Sequence, residues 1–171
     1  MEKNYAEAVK WYRKAADQND ATAQCNLGLC YYKGEGVEKD YAEAVKWYRK
    51  AADQNLADAQ CGLGVAYEKG QGVEKNYPEA LKWYRKAADQ NSAEAQNNLG
   101  VAYSNGNGVE KDYVEAYACL NLAAKSLTDA GKTRDDLETK MTSQQIADGQ
   151  KRTKELRAEI EAKMKSRKPL P

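Results

Sequence analysis

The sequence predicts an all-α solenoid of about four stacked helix pairs, and three observations support this. First, the fifteen residues YAEAVKWYRKAADQN occur at 5–19 and again at 41–55, with a near copy at 77–91. Second, the resulting period is 36 residues, and the first two units agree at 28 of 36 positions. Third, every full unit contains two segments with helical spacing of apolar residues. One helix pair cannot bury its own apolar stripe, whereas stacked pairs can.

The first helix of each unit is strongly amphipathic. In the first unit its apolar stripe comprises Tyr5, Ala8, Val9, Trp11, Tyr12, Ala15 and Ala16. Asn4, Asp40, Asn76 and Asp112 precede the four copies and are suited to cap the helix N-terminus. Asn19, Asn55 and Asn91 follow the first three copies, where a left-handed residue or a turn is expected.

The second helix of each unit is shorter and carries a glycine in its middle, at Gly28, Gly64 and Gly100. Because such a glycine costs about 1 kcal/mol relative to alanine, we expect a large group to approach it, with a neighbouring tryptophan as the plausible occupant. A loop with paired glycines follows, KGEGVEKD in the first unit, which permits a tight reversal. Its valine (Val37, Val73 or Val109) is expected to pack onto the core.

The fourth unit departs from the pattern at 118–122, where Lys-Trp-Tyr-Arg-Lys becomes Ala-Cys-Leu-Asn-Leu. Leu122 replaces a residue that should face water, so another segment must cover this helix. The segment 135–141 reads as a short helix with Leu137 and Met141 on one side. Thr142 or Ser143 then caps a long helix with a thin apolar stripe, in which Glu159–Lys163 and Glu161–Lys165 are favourable i,i+4 pairs.

The motifs ATAQCNLGLCYYKGEGVEKDYAEAVKWYRKAADQN, at 21–55, resemble the Sel-1-like repeat, a relative of the tetratricopeptide repeat. The resemblance covers about 125 residues. It implies a right-handed α-α superhelix that acts as a protein–protein adaptor or scaffold, closed by a C-terminal capping helix. A cysteine-rich branch of the family with a disulfide in each repeat has been linked to penicillin binding. The cysteines of this chain do not follow that pattern, so that activity is not carried over.

Two parts follow from this reading. Residues 1–127 form the repeat array, with units near 5–40, 41–76 and 77–112 and a partial unit at 113–127. Residues 128–171 form C-terminal capping helices and a basic tail. The first unit lacks an equivalent N-terminal cap, so its first helix is expected either to associate with another chain or missing unit, or to remain half exposed at Trp11 and Tyr12.

Composition restricts the function classes. Lys plus Arg number 27 and Asp plus Glu 26, and the net charge of +1 argues against a generally basic nucleic-acid binder. The chain has no histidine, which removes the commonest general base and metal ligand. There is also no nucleophile elbow, phosphate loop or dinucleotide fingerprint, so we expect no enzyme, catalytic residue, metal or cofactor.

Two features bear on the cellular compartment of the protein: its four cysteines, and the absence of a long apolar segment. Cys25, Cys30, Cys61 and Cys119 show no pairing geometry, and we interpret them as reduced, mostly buried residues. No segment has the roughly 18 apolar residues of a membrane span, and the N-terminus has no signal-peptide core. The compartment stays open. The chain reads as cytoplasmic unless a leader was removed, and no membrane partner is expected.

The candidate binding residues lie on the outward face of the first helices. Three basic positions recur in three units and are here called the basic ladder: Lys10, Arg13, Lys14, Lys46, Arg49, Lys50, Lys82, Arg85 and Lys86. By analogy with tetratricopeptide folds, first helices line the concave surface. The ladder therefore favours an acidic peptide or protein segment as partner. The alternative is a solvated face kept for solubility.

Three other readings remain. The KWYRK segment interleaves aromatic and basic residues like a nucleic-acid stacking platform. However, Trp47 and Tyr48 fall on the apolar stripe, so nucleic acid is not expected. The near identity of the units also fits a partnerless structural array, from recent duplication or design. Finally, the uncapped N-terminal unit allows self-association.

Overall fold

The computed structural model describes residues 4–166, and this part of the chain is entirely helical outside its turns and loops. The helices are α1 (Tyr5–Asp17), α2 (Ala21–Lys33), α3 (Tyr41–Asp53), α4 (Ala57–Lys69), α5 (Tyr77–Ala88), α6 (Ala93–Asn105), α7 (Tyr113–Ala123), α8 (Thr128–Glu138) and α9 (Ser143–Ser166). The expected basic tail beyond Ser166 lies outside the described residues. The described helices follow one another as pairs, which confirms the predicted all-α helix-pair repeat.

The predicted helix boundaries are confirmed by their capping bonds. The side-chain oxygens of Asn4, Asp40 and Asn76 accept from the backbone N–H three residues later, at 2.9 to 3.1 Å. Asp112 accepts from two backbone N–H groups. The asparagines after the first helices have positive φ, namely 66° at Asn19 and Asn55 and 63° at Asn91. These residues end each first helix in the left-handed conformation that asparagine tolerates.

The chain divides into two compact units, and the boundary in the sequence falls between Trp83 and Tyr84 of α5. In the first unit α2 packs against α1 and α3, and α3 packs against α4. One buried cluster joins Val9, Ala16, Ala23, Leu27 and Cys30. A second centres on Tyr48 and Leu63. Val37 packs on the first cluster and Val73 on the second, so these two loop valines return to the core as predicted.

The residue that approaches the mid-helix glycine is a tyrosine, and the expectation of a tryptophan was wrong. A Cβ placed on Gly28 would lie 2.8 Å from Cδ1 of Tyr48. A Cβ on Gly62 would lie 3.1 Å from Cε2 of the same ring. Tyr48 is thus held between α2 and α4 and is 4% exposed. Trp47, one position earlier and about 100° around α3, packs instead on the cluster of the first pair.

In the second unit α7 packs against α6, α8 and α9. Gly100 is approached by Leu120, which stands at the repeat position of Tyr48. The helix predicted at 135–141 is α8, but it begins at Thr128, seven residues earlier than expected. The predicted helix does not include residues 128–134, which contain Gly131. In the structure its neighbour Ala130 is buried, and this burial outweighs the low helix propensity of glycine.

The long predicted helix is α9, and its N-terminus is a reciprocal capping box. Gln145 N donates to Thr142 Oγ1 at 3.2 Å, and Thr142 N donates to Gln145 Oε1 at 2.9 Å. Lys163 binds Asp89, in the turn after α5, at 2.7 Å, and Glu159 binds Arg152 at 2.7 Å. The predicted Glu159–Lys163 pairing was therefore wrong, because each partner has a stronger alternative outside that spacing.

Candidate interaction surface

All nine residues of the basic ladder are exposed. Seven of them belong to the first unit, three on α1, three on α3 and Lys82 in the middle of α5. Arg85 and Lys86 belong to the second unit. The ladder is therefore considered unit by unit, and α1 with α3 provides its largest continuous part, six cations on two helices of one compact unit.

The first ladder position is paired with a glutamate one turn earlier. Lys46 forms an ion pair with Glu43, and Lys82 forms one with Glu79 at 2.8 Å. The hydrogen bond that Lys46 donates to Glu43 raises the pKa of Lys46. Both lysine side chains are about two-thirds exposed, at 68% and 66%, so these pairs are weak and can exchange partners.

The second ladder position is an arginine that donates to a tyrosine of the paired helix. Arg49 Nη2 donates to the Tyr67 hydroxyl at 2.9 Å, and Arg85 Nη2 donates to that of Tyr103 at 3.1 Å. Arg13 makes the same bond to Tyr31. A guanidinium has five N–H donors, so one bond to a neutral hydroxyl orients the group and leaves donors for a carboxylate.

The third ladder position lies over a tryptophan ring. Lys50 Nζ is 4.2 Å from the centroid of Trp47, and Lys14 Nζ is 4.7 Å from that of Trp11. Cation–π attraction holds each amine above its own helix. The sequence showed the glutamates beside the ladder. The contacts of the ladder with tyrosine and tryptophan were not predicted from the sequence. The arginine–tyrosine bonds could have been, because every ladder arginine is followed by a tyrosine 18 residues later.

The fourth unit has lost the ladder, and α9 packs along its first helix α7. Leu122 and Cys119 are 6% and 4% exposed, so the loss of charge coincides with burial, as predicted. A Cβ on Gly149 of α9 would lie 2.7 Å from Cδ1 of Tyr117, so only glycine allows this approach.

Charged and polar contacts fix α9 in a groove of the second unit, here called the α9 groove. Its walls include Arg85 of α5, Asp89 in the turn after α5, Tyr103 of α6 and Glu115 of α7. Arg152 Nε donates to Glu115 at 2.7 Å, and Lys163 Nζ to Asp89 at 2.7 Å. Hydrogen bonds to Glu159 and to Glu115 raise the pKa of Arg152.

A third contact lies beside these ion pairs. Asn121 Nδ2 donates to the hydroxyl of Thr153 at 3.4 Å, and Thr153 is 3% exposed. Asn121 also accepts from Arg134 of α8 at 2.8 Å, so one amide connects α7 to both C-terminal helices. Asn121, Glu115 and Asp89 thus each have a hydrogen-bond partner on α9.

The cysteines are free thiols and are buried. Burial raises the pKa values of Cys25 and Cys119 to about 12, so both stay protonated at neutral pH. In residues 4–166 no group of three or more Cys, Asp or Glu side chains is arranged to hold a metal ion. Over the same residues, none of the helices combines the length and apolarity needed to cross a bilayer.

The first helix presents exposed aromatic surface. Trp11 is 62% exposed and Tyr5 38%, whereas the repeat equivalent of Trp11, Trp47, packs on the cluster of the preceding helix pair. An open depression next to Trp11 is lined by Val9, Lys10 and Lys14 among others. The expected lack of an N-terminal cap thus corresponds to an exposed ring in the described residues.

Repeating helix pairs, helices with capped N-termini and a regular outward face define a helical repeat protein of the solenoid class. The sequence model of the Sel1 repeat matches four times, at residues 1–20, 21–56, 57–92 and 93–126. The chain therefore belongs to the Sel1 repeat family, whose members generally serve as protein–protein interaction scaffolds.

Three solved structures share the fold. A protective antigen of uropathogenic Escherichia coli with an SLR fold is 35% identical over 100% of this chain and 38% of its own length, with a TM-score of 0.86. A Sel1 repeat protein from Oxalobacter formigenes is 43% identical over 78% of this chain and 55% of its own, with a TM-score of 0.72. Cysteine-rich protein B of Helicobacter pylori is 25% identical over 77% of this chain and 95% of its own, with a TM-score of 0.60.

The chain spans about two-fifths and just over half of the length of the first two of these proteins. A search of curated proteins found no match.

Proposed function

We propose that this protein is a non-catalytic scaffold that binds an acidic peptide or protein segment across the first helices. The observation that supports this is the ladder itself. Six cations of α1 and α3 are exposed in one compact unit, and contacts to Glu43, Tyr31, Tyr67, Trp11 and Trp47 orient five of them. Side chains that are already oriented lose less conformational entropy when a partner binds.

The experiment is affinity capture from the source cell with the intact chain, at low and at moderate salt. The Lys46→Ala, Arg49→Ala, Lys50→Ala triple variant should lose an acidic partner and the salt dependence of its capture. A matched control replaces Lys132, Lys151 and Lys154, three exposed lysines outside the ladder, by alanine. If both triple variants behave like the unmodified chain, the ladder is not the binding site. A chain that recovers nothing at either salt concentration would favour the partnerless array.

A second candidate, self-association through the N-terminal unit, is favoured by the exposure of Trp11. Association would partly bury this ring, as the preceding pair partly buries Trp47. Trp11→Glu should then lower the sedimentation coefficient at high protein concentration. An unchanged monomeric value for both chains would contradict this candidate. Nucleic-acid stacking has less support, because Tyr48 of the KWYRK segment is 4% exposed and has no free face.

A further inference from the structure

The chain already contains one helix bound to a repeat groove, namely α9. Its contacts with the α9 groove are two ion pairs at either end, Arg152–Glu115 and Lys163–Asp89, with Leu156 and Ile160 between them. Glu115 and Asp89 are repeat positions, as are Arg85 and Tyr103 in the same walls. The groove that holds α9 is therefore built mainly from residues that the repeat supplies.

The first unit carries the same wall residues two 36-residue periods earlier. Arg13, Asp17, Tyr31 and Glu43 stand at the positions of Arg85, Asp89, Tyr103 and Glu115. We call them the first-unit groove. The Arg13–Tyr31 bond repeats the Arg85–Tyr103 bond, so the two walls have the same internal arrangement. Arg13 and Asp17 are exposed, and the Glu43 side chain is 34% exposed.

The same glutamate position has a different cationic partner in the two units: a ladder lysine of its own helix in the first, and an arginine of α9 in the second. Glu43 binds Lys46, whereas Glu115 has Ala118 at the lysine position and binds Arg152 of α9 instead. Lys46 is 68% exposed, so an incoming arginine can replace it at little cost. The same carboxylate position thus accepts either its own helix or a docked one.

Two differences define what the first-unit groove would accept. Arg49 stands at the position of Asn121, which in the second unit bonds to Thr153 of α9. A carboxylate at the place of Thr153 would pair with this guanidinium. Trp47 stands at the position of Cys119, beside Leu156 in the α9 groove, so a smaller residue fits opposite the larger ring.

From these observations we infer that the first-unit groove binds an amphipathic α-helix of a partner protein in the manner of α9. The ligand carries cations eleven residues apart for Glu43 and Asp17, a carboxylate next to the first cation for Arg49, and small apolar residues between. This inference rests on the proposed function and narrows its partner to a helix that presents carboxylates to the ladder and two cations to Glu43 and Asp17.

The spacing of the two anchoring cations separates a helix from an extended ligand. Eleven residues rise about 16 Å along an α-helix. An extended chain covers that distance with about five residues. A helical peptide with cations eleven residues apart holds them at this separation, whereas a fully extended one does not, so binding in this register should depend on the helicity of the peptide.

The test uses a synthetic peptide with the sequence of residues 142–166 carrying Thr153→Glu and Leu156→Ala, titrated calorimetrically into the full chain. We expect Arg49→Gln in the protein to weaken binding about fivefold, the value of one well-formed charge pair. The matched control is Lys132→Gln, which removes one exposed cation outside the ladder and outside both grooves and should leave the affinity unchanged. A peptide that retains Thr153 should respond little to Arg49→Gln. Equal weakening by Lys132→Gln and by Arg49→Gln would overturn the inference, as would an absence of binding.

A second peptide separates this inference from the proposed function. Ala158→Pro in the same peptide breaks the helix without changing its charge. If the proline peptide binds equally well and still depends on Arg13 and Arg49, the ligand is not helical, and the scaffold with its acidic partner remains supported. If neither this peptide nor a poly-glutamate peptide responds to Arg13→Gln with Arg49→Gln, both the inference and the proposed use of the ladder fail.

Discussion

At the residue scale, the mid-helix glycines are packing devices and Gly28 is the clearest case. A methyl group there would lie 2.8 Å from Cδ1 and 2.9 Å from Cε1 of Tyr48, and 3.2 Å from the carbonyl oxygen of Ala44. The ring is enclosed and the backbone of α3 cannot recede, so the contact has no cheap relief. Helix propensity alone would favour alanine by about 1 kcal/mol.

We therefore predict that Gly28→Ala lowers the free energy of unfolding by about 1 to 3 kcal/mol, the usual cost of overpacking. Gly131→Ala is the control, because its Cβ would have only Ala124 Cβ nearby, at 3.8 Å. That change should be neutral or stabilise by up to about 1 kcal/mol. Urea denaturation of the two variants measures both. Equal effects would mean that Tyr48 does not require the glycine.

The thiol of Cys119 gives a prediction for the pH dependence of stability. Burial raises its pKa from 9.0 to about 12. Since the unfolded chain loses this proton first, the contribution of the buried thiol is complete below pH 9 and is lost as pH rises toward 12. Between pH 9 and 11 the unmodified chain should lose stability more steeply than Cys119→Ala, by at most about 1.4 kcal/mol per pH unit. Parallel slopes in urea denaturation would contradict the assignment.

At the element scale, α1 and α3 have the same thirteen residues but different surroundings. Tyr48 and Ala51 of α3 are buried, whereas their counterparts Tyr12 and Ala15 on α1 are only partly buried. Trp47 packs on the cluster formed by the first pair. On α1 the corresponding Trp11 is 62% exposed. The helix is fixed by its sequence and caps, whereas the contribution of each ring depends on whether another helix pair precedes it.

We predict that Trp47→Ala costs about 3 kcal/mol, at the low end for a large-to-small core change because the ring is half-buried. Trp11→Ala, the same change in the same local sequence, should cost less than about 0.5 kcal/mol. Thermal melts of the two variants compare them directly. A shift near zero for Trp47→Ala would show that the inter-pair contact adds no stability.

At the scale of the whole molecule, the repeat ends where α9 replaces the missing charges of α7. Leu122 stands where Lys14, Lys50 and Lys86 stand in the other units, and it is buried. The loss of the ladder lysines on α7 and the packing of α9 against α7 are therefore coupled, because the apolar residues that replace the lysines need a cover. Without α9 the apolar surface of α7 would face water.

The burial of Leu122 under α9 predicts that one substitution is harmful in the full chain and favourable in a chain that lacks α9. In the full chain Leu122→Lys should destabilise by about 2 to 3 kcal/mol, because it places an ammonium under α9. In a chain ending at Met141 the same change should reduce association, because it restores the outward lysine of the repeat. Urea denaturation measures the first effect and sedimentation velocity the second. If Leu122→Lys leaves the full chain as stable as before, or does not reduce the association of the shorter chain, α9 is not what covers this face.

Much of the fold could be predicted because the repeat states it several times. Helix starts, left-handed ends, the loop valines and the covered α7 followed from periodicity and capping chemistry, which depend on residues close in sequence. The start of α8 at Thr128 could not be predicted, because the burial of Ala130 depends on packing rather than on the local sequence. The ladder residues were predicted to be exposed and are, while their use as a binding site stays a proposal.

The sequence by itself determined the class of fold, the repeat length, the position of every first helix and the charge of its outward face. Local hydrogen bonds and apolar periodicity fix these features, and both can be read along the chain. Only the tertiary structure decided that Tyr48 rather than Trp47 meets Gly28, that each ladder arginine bonds to a tyrosine 18 residues away, and that Arg152 and Lys163 anchor α9. These contacts join residues that are distant in sequence, so their geometry exists only once the helices have packed.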